Sequence, residues 1–127
     1  MFFERDYWSL RQFLADLKEV SKIIDSLKST LAEIGNDVES EKYNDVVNLL
    51  WEIRKRNLVA EDIAYEMKSK KNSTTCQNIC ENIWSVIGKN GHHDFNVFDS
   101  TNIVGAVDSL MITTDLSIKR VNRLIKG

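Results

Sequence analysis

The sequence predicts an all-α protein: an antiparallel four-helix bundle, up-down-up-down, with a short third helix and a single domain over residues 1–127. Three observations carry that prediction. Proline is absent and glycine falls only at positions 35, 88, 91, 105 and 127, so helix breakers are confined to a few points. Between those points apolar residues recur every seven. Two connections are short, which makes the helices they join antiparallel neighbours.

The first helix is expected over about residues 4–34. Phe3, Leu10, Leu17, Ile24 and Leu31 form one heptad series, and Phe13, Val20, Leu27 and Ile34 the other. Asp6 is the one polar member, read as part of a frayed start. Leu14 and Ile23 widen the stripe to the breadth a bundle needs. Gly35 can take the left-handed conformation that ends a helix, and Gly35-Asn36-Asp37 makes a tight connection.

The second helix is expected from about Val38 to Lys70, with Val46, Ile53, Ala60 and Met67 in one series and Tyr43, Leu50, Asn57 and Ala64 in the other. Asn57 interrupts the apolar run. Either the helix continues with the amide half-buried and fixing register, or it breaks there with Asn57 capping a second segment; the spacing of seven survives the position and favours continuity. The stretch KSKKNSTT then reads as the end of that helix, its basic residues suiting a C-terminal turn, with Ser73 or Thr74 capping the next. The third helix, about 74–87, places Cys76, Ile79, Cys80, Ile83 and Ile87 on one face with Trp84 beside it. At less than half its neighbours' length it would leave a groove open along the bundle. Residues 88–98 are the one long connection. Asp99, Ser100 or Thr101 then caps a last helix, about 100–126, built on Val104, Met111, Ile118 and Ile125 with Val107, Thr114 and Val121, and broadened by Ile103, Leu110 and Leu124.

Composition sets the class. With 43% apolar and 28% charged residues, the chain can bury a core without metal or disulfide staples. Net charge is −2, and acids and bases balance in each third of the sequence, so no basic or acidic tail points to a polyanion or polycation. There is no apolar run long enough for a membrane span, and the start, without a basic stretch and a long apolar one, is not expected to be a secretory signal. The two cysteines are expected as free thiols in a cytoplasmic protein.

Residues 76–94 hold both cysteines and both histidines. A metal site there is disfavoured by distance. From Cys80 to the helix end the axis climbs roughly 12 Å, and Gly88 to His92 can return at most roughly 13 Å. Cysteine-based catalysis meets the same obstacle. Cys76 and Cys80 instead fit as small core residues beside Ile79 and Ile83. No Glu-x-x-His, His-Glu-x-x-His, Cys-x-x-Cys or phosphate-loop pattern occurs. The expectation is a chain without cofactor, metal or catalytic residues.

Binding is the remaining chemistry. Phe2, Phe3, Tyr7, Trp8 and Phe13 crowd the N-terminus, and Trp8 falls off the core side of its helix. Exposed aromatic side chains are the usual anchors of protein interfaces. Phe2, Phe3, Tyr7 and Trp8 are therefore the expected partner-binding residues, with His92 and His93 as polar rim. The partner would be another protein, such as a target to be neutralised, a client or a regulated subunit, or a second copy of the chain. The alternative is a nucleic-acid contact through Arg54, Lys55 and Arg56, a short basic run without interleaved aromatic residues.

Overall fold

Helices form where the apolar period runs unbroken. The computed structural model describes residues 4–37, 39–88 and 103–127. Its helices are α1 (Glu4–Ile34), α2 (Tyr43–Glu66), α3 (Lys70–Ile87) and α4 (Ile103–Lys126). Each packs on the next and α4 closes on α1, an up-down four-helix bundle as the sequence predicts. The α3–α4 seam is the least extensive of the four. Phe13, Leu17, Leu50, Ile53, Ile79, Ile83 and Leu110 are fully buried along the common axis.

Gly35, at φ 59°, closes α1 with its N–H on the Leu31 carbonyl at 2.7 Å. That left-handed cap is the one the sequence predicts. α2 starts later than expected, at Tyr43 rather than near Val38. Local bonds hold the chain in turns first: Asp37 accepts from the Glu39 N–H and Ser40 Oγ from the Lys42 N–H. Asn36 reaches further, its Oδ1 accepting from the Val104 N–H at 3.1 Å. The α1–α2 turn thus caps the start of α4. The expected caps Asp99, Ser100 and Thr101 lie outside the described residues.

α2 runs straight through Asn57, which is buried and donates from Nδ2 to the Cys80 carbonyl at 3.1 Å. A buried amide with a partner ties the register of α2 to α3.

The second boundary differs from expectation. α2 stops at Glu66, Met67 turns extended (φ −65°, ψ 142°), and α3 begins at Lys70 with Ser69 as N-cap. KSKKNSTT is mostly the first turn of α3. The reason lies far away in sequence. Asp6 is 2% exposed, and its carboxylate accepts from the Lys68 and Ser69 N–H groups, each at 2.7 Å, and from Asn72 Nδ2 at 3.1 Å. Ser69 Oγ accepts from the Asn72 N–H, and Ser73 Oγ donates to the Ala64 carbonyl, which also accepts from the Met67 N–H at the end of α2. A carboxylate at a helix start also suits the dipole, which the lysines of that turn do not. Asp6 is therefore a cap supplied from another helix, not a frayed residue. With 18 residues against 24 in α2, α3 is longer than expected and the open groove correspondingly shorter.

In α4 the deepest positions are Ile103, Val107, Leu110, Thr114, Ser117 and Val121, while Val104, Met111, Ile118 and Ile125 are half-buried flanks. Val107, Thr114 and Val121 face the core as the sequence predicts, with Ile103 and Leu110 beside them, and Ser117 joins them because the polar members are self-satisfied. Thr114 Oγ1 donates to the Leu110 carbonyl and Ser117 Oγ to that of Thr113.

Candidate functional site

Trp8 is 66% exposed on the second turn of α1. Half-buried Tyr7 meets it edge-on, ring centroids 5.2 Å apart, and the Arg11 guanidinium lies 5.8 Å from the Tyr7 ring centre. Tyr7 is thus a shoulder that holds the indole outward. Across the α1–α2 boundary stands Tyr65, 64% exposed in the last turn of α2. Between them runs an open groove of about 590 Å³, lined by Trp8, Ser9, Tyr65, Glu66, Met67 and Lys68. Asp6 builds one wall indirectly, since its bonds to Lys68 and Ser69 fix the turn that carries Met67 and Lys68.

Sequence reasoning found Trp8 and missed Tyr65. The available signal was the spacing of seven through Trp51, Leu58 and Tyr65, an apolar line beside the core stripe of α2. Leu58 is exposed as well. Phe2, Phe3, His92 and His93, also expected at the interface, lie outside the described residues.

The basic run on α2 is split by helical rotation. Arg54 is 5% exposed, its guanidinium 4.8 Å from the centre of the Trp51 ring. Lys55 pairs with Glu52 at 3.2 Å, and Arg56 lies 3.7 Å from Asp16 of α1. The three cations do not present one face.

Asp16 is itself unusual. It is 8% exposed, and its Oδ2 is buried without a hydrogen-bond partner among the described residues. It lines a depression of about 220 Å³ with Glu52, Lys55, Arg56 and Val59. Burial lifts its carboxyl to about 6. Arg56 opposes that rise and Glu19 adds to it.

Cys76 and Cys80 are fully buried free thiols. Burial pushes Cys76 up to about 12, with Arg120 drawing it down and Asp6 raising it further. Burial also pushes Cys80 well up. Thiols so placed are poor nucleophiles. Both should react with a disulfide reagent more than ~100-fold slower in the native protein than in denaturant at pH 8. Equal rates in an absorbance assay would show that the α3 face opens readily. Among the described residues, no group of histidine, cysteine and carboxylate side chains is placed to hold a metal ion. No helix there is long and apolar enough to cross a membrane.

Antiparallel packing sorts charge that looked balanced along the sequence. The end of the bundle that carries the groove gathers Lys68 from the α2–α3 turn, Lys70 and Lys71 from the start of α3 and Arg123 and Lys126 from the end of α4, beside Asp62 and Glu66 in the last turns of α2. The opposite end gathers Glu33, Asp37, Glu39, Glu41 and Asp45 from the α1–α2 turn, with Lys42 paired to Glu33.

No family model matches the chain, no curated protein resembles it significantly, and no solved structure matches its fold significantly. The functional reading therefore stands on this surface alone.

Proposed function

We propose that the chain is a non-enzymatic protein-binding module that takes its partner in the groove between Trp8 and Tyr65. The observation behind this reading is that two large aromatic side chains, each about two-thirds exposed, line a single groove. A lone exposed aromatic residue is common on any surface. Two flanking a groove with a methionine floor have the makings of an interface anchor. Glu66 and Lys68, in the same groove, supply the polar rim. The module would act as an inhibitor, adaptor, chaperone or regulatory subunit does, by occupying a surface of its partner.

Native affinity purification from the source cells, followed by titration of the recovered partner, tests it. The double variant Trp8→Ala with Tyr65→Ala should keep its melting temperature, because neither side chain is in the core. It should bind the partner at least roughly 30-fold more weakly, the loss of about 2 kcal/mol expected for an anchor pair. Unchanged affinity in the double variant would remove the groove from the interface.

A further inference from the structure

The charge around the groove narrows the chemistry of its occupant. Lys68 lines the groove, and exposed Lys70 and Lys71 follow it directly on the first turn of α3. α4 runs antiparallel to α3, so Arg123 and Lys126, both exposed in its last turns, approach the same end. None of these five exposed cations takes part in an ion pair among the described residues. Lys70 and Lys71 also stand at the positive end of a helix dipole, where a cation is disfavoured. Asp6 and Glu66 offset this gathering of like charge only in part, and an anionic partner relieves the remainder.

Resting on the protein-binding reading above, we infer that the groove and its cationic surround accept an acidic polypeptide segment, one that seats an apolar side chain between Trp8 and Tyr65 and sets Asp or Glu residues against Lys68, Lys70 and Lys71. Two features favour polypeptide over nucleic acid. Glu66 sits within the groove, where it repels a continuous phosphate backbone but can pair with a basic residue of a mixed-charge peptide. The acidic far end of the bundle repels a long polyanion laid along the helices, whereas a short segment touches one end only.

The test uses the full chain and defined probes. Random peptides displayed on phage are selected against it, and the selected peptides are synthesised. Binding is followed by fluorescence titration at about 0.05 M and about 0.3 M salt. In parallel, oligo(dT) and vesicles of phosphatidylcholine with phosphatidylserine are titrated. Lys70→Glu with Lys71→Glu is the main variant, and it should fold, because acids suit the first turn of a helix. Lys18→Glu with Lys22→Glu, mid-bundle on α1, is the control.

The selected peptides are expected to be rich in Asp and Glu around an apolar residue and to depend on Trp8. They should weaken at least roughly ten-fold in the α3 variant and not in the control, and weaken again with salt. Trp8-dependent peptides with no acidic bias and no response to Lys70→Glu with Lys71→Glu would overturn the charge inference and leave the groove reading standing. A selection yielding no Trp8-dependent peptide would overturn both. Oligo(dT) or vesicles bound more tightly than any peptide, through the same lysines, would reassign the end to phosphate. Salt-sensitive self-association in sedimentation, abolished by the same variant, would make the acidic end of a second copy the occupant and overturn a foreign partner.

Discussion

Replacing Asp6 with alanine should destabilise the protein by about 3 kcal/mol, the sum of a lost helix cap and charge-assisted bonds to buried donors. In a chain of this size that lowers the melting temperature by about 10 °C. The variant leaves the Lys68 and Ser69 N–H groups without their acceptor at the one place where the chain reverses without glycine. Asp6→Asn should lie between, since an amide oxygen can serve one donor but carries no charge. Burial alone would raise the Asp6 carboxyl. The Lys68, Ser69 and Asn72 donors and the Lys68 charge outweigh it and hold it below the ordinary value of 3.8. A depressed acid contributes stability that is present above its unfolded pKa and lost as pH falls through its folded one. The gap between the native chain and Asp6→Asn should therefore be full at pH 5 and shrink below pH 3.8. Thermal denaturation from pH 2.5 to 7 measures it, and a gap that persists undiminished at pH 2.5 would show that the charge plays no part. The same variant should also loosen the groove, because the turn bearing Met67 and Lys68 loses its anchor.

Asp16 should behave in the opposite sense. Asp16→Asn is expected to stabilise the protein at pH 7.5, by about 1–3 kcal/mol after allowance for solvent screening. Its folded pKa, about 6, lies above the unfolded 3.8, so the fold disfavours the charged form. The penalty is complete above pH 6, declines as pH falls, and is gone below 3.8. The native chain should consequently gain stability between pH 7 and pH 4, and the advantage of Asp16→Asn should disappear over that window. The groups facing Asp16 set the size of the effect: Arg56 from α2, 3.7 Å away, Glu52 and Lys55 around the same depression, Glu19 on its own helix and the Cys80 thiol of α3. Arg56→Met should be destabilising at pH 7.5, since a buried carboxylate without its cation is worse than the pair. Chemical denaturation at pH 4.5 and 7.5 separates the cases, and an Asp16→Asn advantage equal at both would refute the assignment.

The two aspartates also mark where the sequence was legible and where it was not. The core stripes of α1 and α2 could be read because apolar periodicity is local: Leu10, Phe13, Leu17 and Val20 declare their face within three turns. Asp6 broke that pattern, and its justification is a set of backbone donors more than sixty residues away, which no window along the chain contains. The misplaced start of α3 follows from the same contact. A basic run reads as a helix end because the dipole usually decides, and here a carboxylate from α1 decides instead. Trp8 could be found because it leaves the core stripe next to a clear N-terminus. Tyr65 adjoins buried Ala64 and was hidden by the core it borders. Charge balance by thirds was true of the chain and misleading for the molecule, since antiparallel packing brings the end of α4 beside the start of α3.

That last feature gives the molecule a polarity. α1 alone spans about 46 Å, with a cationic pole at one end and an anionic pole at the other. At physiological ionic strength the field of each pole decays within about 8 Å, so approach from afar is unguided and random in angle. Within the last nanometre the torque between the poles and a charged surface turns the rod before contact, so an anionic surface is met by the cationic pole. Orientation, normally the slow part of a protein encounter, is then largely resolved by the shape of the charge distribution before a single side chain is desolvated.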